Sequence, residues 1–221
     1  MTHDEILVGL YENTLIGNAP EVRDLTNAGL EENLEPEKML YDALIPSLEE
    51  VGARFERGDF FVPEMLIAAR AMQGALDILR PLLAETGVQQ VGTYVMGTVK
   101  GDVHDIGKNL VNIMLEGAGF TVHDLGVNVA PEKFIEAIIE HKPDIVGFSA
   151  FLTTTMPMFK ANINALEKAG MRNDVIVMVG GAPVTQQYAD AVGADGFAAD
   201  ASSAVRLAKD LIAKRRAAVP A

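Results

Sequence analysis

The sequence predicts an α/β protein in two parts, an N-terminal four-helix bundle followed by a doubly wound five-stranded parallel sheet. Two observations predict it. Residues 1–86 read as helix in four segments joined by short turns, the pattern of a small antiparallel bundle. After a short polar link, ETGVQQVG, the hydrophobic period changes, and apolar strand-like runs alternate with helical runs five times. Strands and helices in such a series form a parallel sheet covered on both faces. Right-handed crossovers favour the doubly wound, flavodoxin-like winding of that sheet. The division places a bundle domain at 1–88 and a sheet domain at 89–221.

Each element has its own signal. HDEILVGLYENTLIG and APEVRDLTNAGLEE are the first two helices. Pro20 suits the first turn of the second, where a missing N–H loses no bond. EPEKMLYDALIPSLEEVGARFERG is the third, and Pro46 inside it predicts a kink. VPEMLIAARAMQGALDILRPLLAET is the fourth, with Pro63 at its start. Leu66, Ala69, Met72, Leu76, Leu79 and Leu83 recur there at threes and fours, which is one helical face. In the second part TYVMGTV leads into GKNLVNIMLEGAG, FTVHDLG into APEKFIEAIIEHK, and DIVGFSA into TTMPMFKANINALEKAG. VIVMVGG then leads into a helix near TQQYADAVG, and ADGFAAD into SAVRLAKDLIAKRRAA.

Composition excludes several classes of function. The chain has 221 residues, 49% of them hydrophobic, enough for a real core. It has no apolar run near the length of a membrane span. The start, MTHDEILVGLYENT, is acidic and shows no signal peptide. Cysteine is absent, which removes disulfides, thiolate metal sites and a cysteine nucleophile and fits a cytoplasmic address. The net charge of −13 would repel a phosphate backbone, so nucleic acid is not an expected partner. The same charge serves solubility or an acidic docking face.

The polar residues gather at one edge of the predicted sheet. Asp102 and His104 follow the first strand, Ser149 ends the third with Thr153 and Thr155 just beyond, and Gly180–Gly181 ends the fourth. Ligands of open parallel sheets bind outside the carboxyl ends of the strands, at the switch point. A metal-binding or acid–base histidine fits that edge. So, on these residues alone, does a turn histidine capped by an aspartate. Gly101 and Gly107 free the first loop to turn, and the Gly180–Gly181 pair removes side chains where backbone could meet a ligand. An ordinary turn would use the same glycines.

GDVHDIG resembles the Asp-x-His-x-x-Gly signature of cobalamin-binding domains. Ser149 stands about where that family places its Ser-x-Leu element, and Gly180–Gly181 where it places a Gly-Gly pair. The Ser-x-Leu element reads Ser149-Ala150-Phe151 in this chain, with Leu152 one place late and Phe151 keeping the position apolar. VPEMLIAARAM resembles the helical cap of cobalamin-dependent methionine synthase. The order of parts is that of the small corrinoid proteins of methanol, methylamine and methoxyaromatic methyltransferase systems, over roughly residues 1–215.

The resemblance implies a cobalamin whose own base has left the cobalt and been replaced by His104 from the lower face. Asp102 would accept a hydrogen bond from the other ring nitrogen, fixing the tautomer. Cobalt would cycle between methyl-Co(III), which wants an axial ligand, and Co(I), which does not, so the pair acts as a ligand switch. The nucleotide tail would run past Ser149, Thr153, Gly180 and Gly181, with Thr155 adding a hydroxyl, and Phe151 counts among the cofactor-binding residues. Gly107 completes the motif. Phe55 and Val62, near Phe60 and Phe61, would cover the methyl group, although FERGDFFVPEM also reads as a plain hydrophobic turn.

The expected function is a methyl carrier with no complete active site of its own. Its partners would be a substrate-specific methyltransferase, a second methyltransferase with a thiol or folate acceptor, and a reductive activating protein. ETGVQQVG would be the hinge on which the bundle swings aside. The alternatives are the small subunit of an adenosylcobalamin-dependent mutase, a cobalamin-based sensor and a ligand-free response-regulator-like domain. The mutase leaves the bundle without a task, and the sensor needs an output module. Asp105 is expected to face solvent or cap a helix. His123 reads as a satisfied sheet residue, His141 as a cation at a helix C-terminus, and the ten methionines chiefly as core fillers.

Overall fold

The computed structural model describes residues 1–86 and 91–218. They form two compact units, one of helices and one holding the sheet. The expected boundary between 88 and 89, and the middle of the hinge stretch, lie outside the described residues.

The helical unit holds α1 (His3–Leu15), α2 (Ala19–Glu31), α3 (Pro36–Met39), α4 (Ile45–Arg57) and α5 (Val62–Thr86). Thr2 and Glu5 close a capping box on α1, satisfying two amides that the first turn leaves over. Pro20 sits in the first turn of α2, as the sequence predicts. The kink predicted at Pro46 is a π-helical turn, Leu40–Leu44, between α3 and α4. Proline cannot donate and its ring crowds the carbonyl four residues back. The backbone widens one residue earlier, where the Ile45 N–H reaches the Leu40 carbonyl.

In α5 the buried face is Met65, Ala68, Ala69, Met72, Ala75, Leu76 and Leu79. Leu66 lies outside it and is exposed, because the helical stripe centres one residue earlier. The helix continues through Pro81. The unit's core is Ile6, Leu10, Val22, Met39, Leu44 and Val51 together with that face.

The sheet unit runs β1 (Gly92–Thr98), α6 (Ile106–Gly117), β2 (Phe120–Asp124), α7 (Pro131–His141), β3 (Ile145–Ser149), α8 (Pro157–Lys168), β4 (Ile176–Gly180), α9 (Gln186–Val192), β5 (Gly196–Phe197) and α10 (Ala201–Ala218). All pairings are parallel, in the order β2-β1-β3-β4-β5. That is the flavodoxin-like winding expected. β5 is shorter than its sequence run and pairs only through Gly196 and Phe197.

Strands β1, β3 and β4 are apolar because helices cover both faces. On one face Val95, Val146, Phe148 and Val177 pack under Phe134 and Ile138 of α7 and Phe159 and Ile163 of α8. The Phe134 and Phe148 rings meet edge to face, 4.8 Å between centroids. Met156 and Met158 belong to this cluster.

Register then fixes the upper edge. Thr98 at the end of β1 stands beside Ser149 at the end of β3, and Ser149 beside Gly180 at the end of β4. The loops that follow begin side by side.

The two glycines after β4 differ. Gly181 has φ +132°, and a Cβ there would stand 1.9 Å from the Ala150 carbonyl oxygen. Gly180 is not left-handed, and a Cβ there meets only the Ala198 carbonyl oxygen, at 3.6 Å. Gly181→Ala should therefore destabilise the cofactor-free protein by about 1–3 kcal/mol from backbone strain alone, and Gly180→Ala by far less. Denaturant midpoints of the two variants check this; equal midpoints would refute the distinction.

Candidate functional site

The site is built from the loops after β1 and β3. β1 ends at Thr98, whose buried hydroxyl donates to the His104 carbonyl at 3.0 Å and folds the loop back on itself. Gly101 turns the chain with φ 84°. Asp102 is fully buried and accepts five hydrogen bonds. Its Oδ1 takes the His104 amide at 3.1 Å and His104 Nδ1 at 2.7 Å. Its Oδ2 takes the amides of Phe151 at 2.8 Å and Leu152 at 3.2 Å, and the Thr155 hydroxyl at 2.7 Å.

Burial alone would push the Asp102 carboxyl up. The bonds from Thr155, from the His104 ring and amide, and from the Phe151 amide overcome it and hold the group well below the usual carboxylate range. An ionised Asp102 only accepts, so Nδ1 of His104 carries a hydrogen, and in the neutral imidazole the lone pair then lies on Nε2. His104 is partly exposed, and its ring stacks on Phe151 with centroids 4.4 Å apart.

Large apolar side chains are exposed in the two loops that form this site. Val103 is 68% exposed, Ile106 71%, Phe151 51% and Leu152 40%. Such a group of exposed hydrophobics marks a ligand or partner surface rather than a loop facing water. Gly107 opens the first turn of α6, has no positive φ, and would have open space at its Cβ. Nothing in the protein itself requires glycine there.

The predicted residues thus fall in three places. Asp102, His104, Phe151 and Thr155 are joined by direct contacts, with Gly107 just beyond. Ser149, Gly180 and Gly181 end the neighbouring strands, and Thr153 is exposed in the loop after β3. Phe55, partly buried near the end of α4, and Val62, 40% exposed at the start of α5, lie in the helical unit.

Thr155 is a direct partner of Asp102, a tighter role than its sequence neighbours suggested. Asp105 is exposed and accepts from the Asn109 side chain. His123 and His141 stack on each other, 3.7 Å between centroids, which residues so far apart in sequence did not reveal. Burial, then the neighbouring His141, holds the His123 imidazole below its ordinary range.

Two B12 binding domain models match the chain, one over residues 92–207 and one over residues 8–80. The chain is 45% identical to dimethylamine corrinoid protein 1 of Methanosarcina acetivorans, over 81% of this chain and 85% of that one. It is 37% identical to a corrinoid protein of Desulfitobacterium hafniense, over 95% of this chain and 98% of that one. Its fold is similar to a chain of the methanol:cobalamin methyltransferase complex of Methanosarcina barkeri, with TM-score 0.83 and 29% identity over 95% of this chain and 80% of that one.

Asp102 has a consequence for acid stability. A carboxylate whose folded pKa is depressed contributes stability that is present above its unfolded pKa, near 3.9, and lost as pH falls through the folded value. Stability of the wild type should therefore fall steeply below about pH 4. Asp102→Asn should be less stable at neutral pH and lose less on acidification. Denaturant midpoints between neutral and acid pH test this; parallel curves for the two proteins would refute it.

Proposed function

This chain belongs to the corrinoid proteins with a B12-binding domain, and from that premise we propose that it is a methyl carrier working between methyltransferases. It binds a corrinoid, and we assign the cobalt-facing role to His104. The observation that carries the assignment is a single imidazole with Nδ1 fixed, Nε2 free to bind and exposed hydrophobics in the two loops of the site. Among the described residues no group of three or more His, Asp or Glu could hold a bare metal ion. A lone donor suits a metal that arrives with its other ligands on a macrocycle. The apolar surface of Val103, Ile106, Phe151 and Leu152 suits the underside of such a ring, and the open space at Gly107 leaves room for its approach.

When bound, the corrinoid supplies a cobalt centre that can accept and give up a methyl group. The protein's own part is to hold and release. Asp102 keeps the hydrogen on Nδ1, so Nε2 presents its lone pair. An imidazolium at this position would have the Asp102 carboxylate 2.7 Å from Nδ1. Thr155 and the Phe151 and Leu152 amides keep that carboxylate ionised in both states. Ser149, Gly180 and Gly181 at the strand ends and Thr153 in the loop after β3 would line the nucleotide tail, and we assign the shielding of the methyl group to Phe55 and Val62.

The partners we infer are a substrate-specific methyltransferase, a second methyltransferase with a thiol or folate acceptor, and a reductive activating protein. We place them in the cytoplasm; no described helix is long and apolar enough to cross a membrane. The relatives from dimethylamine and methanol systems match over most of the chain, helices included, which favours the carrier over a mutase subunit or a sensor.

His104→Gly should still bind cobalamin, weakly, through the tail, and lose the histidine-coordinated absorbance bands. Unchanged bands would remove His104 as the ligand. Phe55→Ala should speed photolysis of bound methylcobalamin with little change in cofactor affinity. Equal photolysis rates under equal light would end the shielding role and raise the mutase reading above the carrier.

A further inference from the structure

The loop between β2 and α7 plays no part in the site as described, yet it runs along the chain that bears Asp102 and His104. The Leu125 amide donates to the Met96 carbonyl, the Thr98 amide to the Gly126 carbonyl and the Val129 amide to the Thr98 carbonyl, each at 2.8 or 2.9 Å. A parallel bridge joins Val99 to Val129. The loop is tied at its root as well. Asp124 accepts the Gly126 amide through Oδ1 and the Nζ of Lys108, a buried side chain of α6, through Oδ2.

Asn128 is the residue of this loop that reaches the site. Its side-chain Oδ1 accepts the Gly101 amide at 2.8 Å. Its own amide donates to the Asp102 carbonyl at 2.9 Å. One residue therefore holds the two-residue segment Gly101–Asp102 at both ends, by the amide that enters it and the carbonyl that leaves it. It does so with φ 55°, a left-handed conformation that asparagine adopts more readily than most residues. Contacts from the loop after β3 fix the Asp102 side chain, whereas Asn128 fixes its main chain. The two grips come from opposite neighbours of β1 in the sheet, since β1 pairs with both β2 and β3.

We propose that Asn128 is a positioning residue for the His104–Asp102 pair, holding the loop so that Nε2 is presented at one fixed height and angle. The proposal rests on His104 as the cobalt ligand. Without the side-chain acceptor the Gly101 amide loses its partner, the loop samples more conformations, and coordination has to order it again. A single net hydrogen bond of ordinary strength corresponds to roughly a three- to tenfold change in an equilibrium.

The experiment uses three proteins. Asn128→Gly keeps the left-handed backbone and deletes the acceptor. Asn128→Asp keeps both. The ratio of histidine-coordinated to histidine-free methylcobalamin is read by absorbance on each loaded protein, at a pH above the ordinary histidine range. Exchange of the Gly101 amide with deuterated water is read on each cofactor-free protein. The expected result is a coordinated fraction ratio about three- to tenfold lower in Asn128→Gly, faster exchange at Gly101, and both values near wild type in Asn128→Asp. Wild-type behaviour of Asn128→Gly in the ratio overturns the proposal, and so does an equal loss in both variants. A wild type with no histidine-coordinated bands overturns the ligand assignment itself, which keeps that failure separate. Should Asn128→Gly not load cofactor, the exchange rate decides: an unchanged Gly101 rate overturns the proposal.

Discussion

The buried carboxylate of Asp102 is the constraint around which the sheet unit's edge is organised. An isolated carboxylate taken out of water is penalised by several kcal/mol, and the penalty falls only if its lone pairs are filled. This one has five donors, from His104, Phe151, Leu152 and Thr155. Those donors come from two loops that are adjacent in space and distant in sequence. Neither loop can move without leaving part of the charge unpaired. The imidazole inherits its orientation from that arrangement, because the carboxylate whose Oδ1 meets Nδ1 is itself held through Oδ2 by the loop after β3.

The strand order makes the arrangement possible. β1 and β3 are neighbours, yet the chain leaves β1 through α6 toward β2 on one side and leaves β3 through α8 toward β4 on the other. The connections diverge and leave a crevice at the carboxyl ends. Thr98 and Ser149 stand opposite each other at its base, so the first residues of each loop are already in hydrogen-bonding range. The Val99 amide donates to the Ser149 carbonyl, extending the ladder one step beyond the strands. The topology brings the two loops together before any side chain acts, and Asp102 then locks them.

Much of this was legible in the sequence. A run such as DIVGFSA, apolar on both faces, is what a central parallel strand needs, and its burial is nearly complete. Asp102, His104 and Gly107 were legible as a motif because all three lie in one loop. What stayed hidden depends on pairs that sequence separates. Thr155 looked like one hydroxyl among several, and only the fold brings it to Oδ2 of Asp102. Asn128 lies between FTVHDLG and APEKFIEAIIEHK, and nothing in either run signals a bond to Gly101. His123 and His141 each had a sensible separate reading, and their stack follows from how α7 lies against the edge strand. At Pro46 the proline foretold a disturbance, but not that it would be a π turn, in which Leu40, Ala43 and Leu44 are all buried.

The glycines sharpen the argument for a ligand, since a glycine can be required by the chain or by something outside it. Gly181 is required by the chain: its φ and the Ala150 carbonyl leave no space for a Cβ. Gly101, with φ 84°, turns the loop. Gly107 and Gly180 meet neither condition, having ordinary backbone angles and no close neighbour at the Cβ position. Glycine loses more conformational freedom on folding than any other residue, so at Gly107 the folded chain alone gains nothing from it. Its place beside a half-exposed imidazole and among exposed Val103 and Ile106 is where a broad, flat, apolar group would have to come close. Local rules broken without internal compensation tend to mark functional sites, and at Gly107 the missing side chain fits the proposed approach of a corrinoid toward His104.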